Sequence, residues 1–497
     1  MNLHTSHAPA RSADASRATL VLGGVAIAST LLYLIAFTWP YSLFKLYTVP
    51  KLAVYRFARE DPTVIWWLAA AFVVQCGLYY LGWRAAQHAH GRTAWAIVLG
   101  GALASGIVLL FVYPFDAADI FDYIMHGRIA SVYAGNPFRD VAAQFSGGPF
   151  YPYAGWQQVP SYYGPAWEWI AAGVTRLTGD GIITNVLAFK VVVGVFLAGC
   201  VWTIWAILRR AAPERTLAGV TFFAWNPVVL YVTLGNGHND VAMVLCILLA
   251  VLALLQQRYT LTILALVLGA LFKFIPLLLI PAAGLIALRS LGDARVRLRF
   301  VALSVVGSVA LAAVLYAPFW YGPRILDMTA RTRLFTASLP AFFYTWLRPL
   351  WGQQQAASVV SSVALALTAL FVCWQSIRAW RNPSWLGFSH AALHILLFYL
   401  MVTCAWFQQW YTVWPLAIAA LLPAGPAIYL SLILSGYALL SKQLLFGPLI
   451  YRLHPFPGEF REVWFGPTVL GVPWLCAFFL LVDGLYQKIA RENSPTA

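Results

Sequence analysis

The residues best equipped for chemistry in this chain are acids and imidazoles set close together between long apolar runs. The segment DAADIFDYIMHGR, Asp116 to Arg128, follows one such run directly after Pro114 and Phe115. At helical spacing Asp116, Asp119, Tyr123 and His126 fall along one stripe, with Asp122 four residues before His126. A carboxylate that shares a space with an imidazole and a phenol can act as a general base, and Asp119 is the candidate. Asp116 reads more simply as a helix cap after Pro114. Asp119, Asp122 and His126 also offer oxygen and imidazole ligands for a divalent metal, the one cofactor these residues suggest.

A second polar cluster, His238-Asn239-Asp240, lies beside Gly235 and Gly237 in WNPVVLYVTLGNGHNDVAMV, at the junction of two apolar runs. Polar side chains at such a boundary are costly unless paired or used, which favours a functional role. Lys273, in FKFIPLLLIP, is a cation deep in apolar sequence, for which a phosphate or an acid from another helix is the expected partner. Arg331 and Arg333 stand among aromatic residues in a later loop and suit a phosphate through the guanidinium fork. Tyr163, in SYYGPAWEW, belongs to a set of aromatic faces with Trp156, Tyr162, Trp167 and Trp169 that can pack on sugar rings or sit at lipid headgroups.

The elements that must position these residues are membrane helices. Of the 497 residues 61% are apolar and 10% charged, and the mean hydropathy is +0.74. A water-soluble core cannot hide that much apolar surface. Candidate spans are 19–39, 64–83, 94–114, 181–207, 217–234, 241–257, 300–319, 355–379, 389–406, 411–422, 427–442 and 465–487, about twelve in all. The polar residues before Thr19 and the length of the first run read as an uncleaved first span. Basic residues crowd the short segments Arg209–Arg215 and Arg289–Arg299, which places those segments in the cytoplasm and the acids of 115–180 outside. Because Arg258 and Arg289 then belong to the same side, Tyr259 to Leu288 reads as a re-entrant hairpin with Lys273 and Pro276 near its tip. The net charge of +15 is scattered among the spans, which fits a membrane and not nucleic acid. All six cysteines lie in apolar runs and read as small hydrophobes. No repeat or low-complexity linker divides the chain, so 1–497 is expected to form one domain with an outer catalytic loop over 115–180.

The pieces PFDAADIFDYIMHGR with AGNPF, SYYGPAW, NPVVLYVTLGNGHND, ALFKFIPLLLIP and FQQWYTVWPL, spread over residues 114 to 416, resemble the GT-C superfamily. More narrowly, they resemble the prokaryotic polyprenol-phosphate-mannose-dependent α-mannosyltransferases. Asp119-Ile120-Phe121-Asp122-Tyr123 is similar to that family's element containing the catalytic base, although Ala118 stands where an acid usually precedes it. The resemblance implies an all-α polytopic GT-C fold and a hexosyl transfer, of mannose, by inversion with Asp119 as base. It implies a polyprenyl-phosphate sugar donor, a glycan or lipid-linked acceptor, and an active site on the outer side of a prokaryotic plasma membrane. Asp122, Tyr123, His126, Tyr163, His238, Asn239, Asp240, Lys273, Arg331 and Arg333 are then the residues expected to bind substrate. Two other classes use similar parts: a secondary transporter or flippase of lipid-linked sugar, and an oligosaccharide polymerase or ligase.

Overall fold

In the computed structural model the described residues are 8–327, 334–446, 467 and 469–480. Backbone amides in hydrocarbon find no water, so an apolar chain satisfies them inside each segment by forming helices. Accordingly no strand occurs among the described residues, only two isolated bridges, Ser42 to Val112 and Thr336 to Trp406.

The chain opens with three long apolar helices, α1 (Asp14–Thr38), α2 (Thr63–Ala86) and α3 (Gly91–Leu110), with α1 packed on the other two. Two shorter helices, α4 (Asp119–Ser131) and α5 (Pro165–Thr178), pack on each other across the expected outer loop and lead to the 30-residue α6 (Ile182–Ala211). Next come α7 (Pro213–Ala224) and α8 (Pro227–Gly235), bent by 48°. The bend has a local cause. Asn226 accepts the N–H groups of Val228 and Val229 on its side chain, and Pro227 restarts the helix without a donor. Then follow α9 (Asp240–Leu255), α10 (Tyr259–Ala270), α11 (Ile275–Ser290) and the long α12 (Ala294–Phe319). The rest comprises α13 (Leu339–Trp351), α14 (Gln353–Arg381), α15 (Trp385–Thr403), α16 (Val413–Ala419), α17 (Pro426–Lys442) and α18 (Val469–Leu480).

Seven of these helices, α1, α2, α3, α6, α12, α14 and α15, are long and apolar enough to cross a bilayer, and the bent pair α7–α8 makes an eighth if counted as one span. They carry large apolar side chains outward: Leu20, Val306 and Leu365 are 66–77% exposed, the pattern of a lipid-facing surface. The protein is thus an all-α polytopic membrane protein. The segments expected at 241–257 and 427–442 form the apolar helices α9 and α17, the described part of 465–487 includes α18, and the one at 411–422 is reduced to the seven residues of α16. Its preceding residues are drawn off into the site described below.

Between Tyr259 and Ser290 the chain forms two short helices with Lys273 and Pro276 at the break, as the charge pattern predicts. The break is fastened to the start of α5, where the Gly164 and Ala166 N–H groups donate to the carbonyls of Phe272 and Leu271 at 3.0 and 3.1 Å. Gly164 is needed there, because a Cβ would collide with the Leu271 carbonyl. At the other wall, buried Lys190 of α6 donates to the carbonyls of Leu110 and Val112 at 3.1 and 2.5 Å. It so caps the end of α3 from which the acidic segment departs.

Candidate active site

Five segments meet here, around Asp119, Tyr163, His238, Lys273 and Trp410. Asp119 is the first residue of α4, where the helix dipole favours a carboxylate. Its Oδ2 accepts the Tyr163 hydroxyl at 3.2 Å and lies 3.6 Å from His238 Nδ1, an ionic contact longer than a hydrogen bond. His238 follows a π-helical turn, Tyr231–Gly235, and Gly237 at φ 79°. That positive φ and the closeness of Ile120, which a Cβ would strike, require glycine. The imidazole is buried and stacked on Trp410, with ring centroids 3.9 Å apart and an interplanar angle of 18°.

Asp240, the first residue of α9, is buried and pairs through Oδ2 with Lys273 Nζ at 2.8 Å, while its Oδ1 accepts Trp414 Nε1–H at 2.7 Å. Lys273 also faces the rings of Tyr163 and Tyr411, at 5.9 and 5.4 Å. Asp116 receives Gln409 Nε2–H on Oδ1 at 2.6 Å, and its own backbone N–H donates to Asn236 at 2.9 Å. The expected capping role is therefore corrected. Helix α4 starts three residues later, with Ala118 at the N-cap position, and Asp116 is a buried anchor of the loop. Asn239 occupies the N-cap position of α9 without a side-chain capping bond.

Not all the expected residues come together. Asp119, Tyr163 and Lys273 line a cavity of about 440 Å³, and His238 and Asp240 stand directly behind the first and last of these. Tyr123 is turned into an aromatic core with Tyr163, Trp167 and Phe189. His126 faces Glu168 at 3.7 Å, and Asp122 accepts the Trp156 N–H at 3.0 Å. The three donors considered for a metal thus point to three different partners, and no group of three His, Cys, Asp or Glu converges among the described residues. Arg331 and Arg333 lie outside the described residues.

Burial alone would raise the pKa of Asp119, but the ionic contact with His238, the charge of Lys273 and the Tyr163 hydroxyl outweigh it and hold the carboxyl below its usual value. Asp119 is therefore ionised and able to accept a proton. Its neighbour behaves oppositely. Burial, reinforced by the charge of Asp119 and opposed by the Trp156 N–H, pushes Asp122 up to about 8, and burial pushes Asp116 up to about 6. Burial likewise takes His126 down to about 4, so it is neutral.

A stability effect follows from Asp122. A carboxyl whose pKa is higher folded than unfolded binds its proton more tightly in the folded state. Its contribution is complete below the unfolded value of 3.8 and is lost as pH rises to about 8. The melting temperature of detergent-solubilised protein should therefore fall between about pH 4 and pH 8, and Asp122→Asn should flatten that fall. Equal slopes in the two proteins would show that Asp122 ionises no more reluctantly than a free carboxyl.

The residues that sequence reasoning did not place are those of FQQWYTVWPL. Gln409 holds Asp116, Trp410 stacks on His238, Tyr411 faces Lys273 and Trp414 holds Asp240. The signal was present as two glutamines and four aromatics set between apolar runs, but nothing local said which acids they would meet.

Long lipid-facing helices, with a carboxylate, an imidazole and an ammonium brought together beside a cavity by the short segments between them, fit a GT-C type membrane protein. The family model described as alpha-(1->6)-mannopyranosyltransferase, N-terminal domain, matches residues 20–289, more than half of the sequence, and the chain belongs to that family. Alpha-(1->6)-mannopyranosyltransferase A of Corynebacterium glutamicum is 27% identical over 172 residues, 34% of this chain and 32% of the relative. Alpha-(1->6)-mannopyranosyltransferase B of the same organism is 30% identical over 140 residues, 27% of this chain and 22% of the relative. An alpha-(1->6)-mannopyranosyltransferase of Mycobacterium tuberculosis is 28% identical over 141 residues, 27% of this chain and 23% of the relative. The chain thus spans about a third or less of the length of the curated relatives it matches.

Proposed function

We propose that the protein transfers mannose from a polyprenyl-phosphate donor to a hydroxyl of a glycan or lipid-linked acceptor, on the outer side of the membrane and with inversion at the anomeric carbon. The observation that carries this reading is a single cavity with a proton acceptor and a cation on its walls, Asp119 held ionised and Lys273 only partly covered. In the proposed step the acceptor oxygen bonds to the anomeric carbon while the bond from that carbon to the phosphate oxygen breaks. Asp119 takes the acceptor's proton, and the electron pair leaves on the phosphate. An ammonium has three N–H donors, of which Asp240 uses one, so Lys273 keeps donors for the departing phosphate.

The cavity also has apolar lining, from Phe274, Ile275, Leu334, Ala364 and Leu365, and Leu365 on α14 is 71% exposed. An opening toward lipid suits a donor whose tail stays in the bilayer. Family membership and the printed names of the relatives favour an α-(1→6) product, for which the attacking group is a primary 6-hydroxyl. The walls draw on residues before and after the matched stretch ends, since Asp119 and Tyr163 face Gln408, Trp410 and Trp414. We therefore take residues 1–497 as one catalytic unit.

The test is transfer by right-side-out and inverted membrane vesicles, given labelled polyprenyl-phosphate mannose and a mannan that cannot cross the membrane. Labelled mannan is expected from right-side-out vesicles without nucleotide sugar. Transfer that requires a nucleotide sugar would overturn the donor assignment, and transfer by inverted vesicles alone would overturn the orientation.

A further inference from the structure

Gln408 lines the cavity, is 7% exposed, and has a neighbour that decides which way its amide points. Lys442, itself buried in the π-helical turn Leu439–Phe446, donates from Nζ to the Phe407 carbonyl at 2.7 Å and to Gln408 Oε1. The same ammonium lies 6.0 Å from the Trp410 ring, which stacks on His238.

The two ends of a glutamine amide are hard to tell apart by shape, but their chemistry here is not symmetric. An ammonium has donors and no acceptor, so only the amide oxygen can face Lys442. The NH2 group is then turned away from the lysine, on a side chain that borders the cavity, and offers hydrogen-bond donors only. A charged partner also polarises the amide and strengthens those donors. Among the other polar groups on these walls, Tyr163 donates to Asp119, Thr403 is bonded to Thr368, and Lys273 is paired with Asp240.

We infer that Gln408 is a substrate-binding residue that donates a hydrogen bond to an oxygen of the donor sugar, and that Lys442 is the positioning residue that locks its amide in that orientation. This rests on the reading of the cavity as the donor site. A fixed donor contributes to selectivity because a ligand lacking the matching oxygen leaves it unpaired in a desolvated place. A phosphate oxygen would satisfy the same NH2 group, and the measurement below separates the two sources.

The quantity to measure is the ratio of affinities for polyprenyl-phosphate mannose and for bare polyprenyl phosphate, read by thermal shift or calorimetry on the full-length protein in detergent. A charge effect on phosphate binding changes both affinities together, so the ratio isolates the sugar contact. Wild type should prefer the mannosylated lipid. Gln408→Glu keeps the size and gives Lys442 a carboxylate partner, so it should fold at least as well, while the donors toward the cavity are gone. Gln408→Met removes the donors without adding a charge. Both should lower the ratio about tenfold, the loss of one such hydrogen bond. Lys442→Met should lower it too, by freeing the amide to turn, and Lys442→Arg should restore it, an outcome a purely structural lysine does not predict.

An unchanged ratio in Gln408→Glu, with the wild-type preference intact, overturns the inference and leaves the donor site standing. Equal loss of both ligands in Gln408→Glu and Gln408→Met assigns the contact to phosphate and overturns the sugar assignment. A wild type that binds both lipids equally overturns the donor-site reading itself, and the inference with it.

Discussion

Asp119→Asn should lower mannosyl transfer by at least about 100-fold, the lower bound for a lost general base, and leave the melting temperature nearly unchanged. The amide keeps the size of the carboxyl, and its oxygen can still accept the Tyr163 hydroxyl, which lies 3.2 Å from Oδ2. What it cannot do is take the acceptor's proton. The cost in stability is small because the contact to His238, at 3.6 Å, is too long to be a hydrogen bond that folding depends on. Asp116→Asn provides the contrast. Asp116 is tied to Gln409 and is not among the cavity-lining residues, so its amide variant should show a modest loss of both activity and stability. If Asp119→Asn keeps more than a tenth of wild-type transfer, the base lies elsewhere, and His238 is the next group in line.

Asp240→Ala should do greater damage to the fold, because it strands two partners at once. Asp240 is 1% exposed and holds both Lys273 and the Trp414 indole N–H. Breaking a buried ion pair by removing one side costs on the order of 3–5 kcal/mol, mostly for the charge left behind. The yield of folded protein and the melting temperature should both drop, and transfer should be lost. Replacing both partners by apolar residues of similar size, Asp240→Leu with Lys273→Met, removes the stranded charge, so stability should return toward wild type. Transfer should not return, since the cation proposed to meet the leaving phosphate is gone. A double variant that regains activity along with stability would show that the pair only braces the helices and that Lys273 has no part in the reaction.

The membrane class, the helical architecture and the place of Asp119 at the start of a helix were all legible in the sequence, because they depend on short-range physics. A run of about 20 apolar residues has only one economical way to satisfy its amides in lipid, and α1, α2, α3 and α6 follow from that alone. Asp119 could be singled out because a carboxylate in a first helical turn, beside an apolar span, is a local arrangement. The break at Lys273 was equally local, set by basic residues at both ends and Pro276 between them. In the second half hydropathy does not distinguish α16, a seven-residue helix buried inside the protein, from a crossing. Tertiary packing alone decided the partnerships. Gln409 reaches Asp116 across 293 positions of sequence and Trp414 reaches Asp240 across 174, and no periodicity carries information over such separations. Packing likewise turned Tyr123 and His126, on the predicted stripe, away from the cavity, because α5 covers that face of α4. Side-chain direction on a helix is set by the sequence, but which direction is inward is set by the neighbours the rest of the chain brings to it.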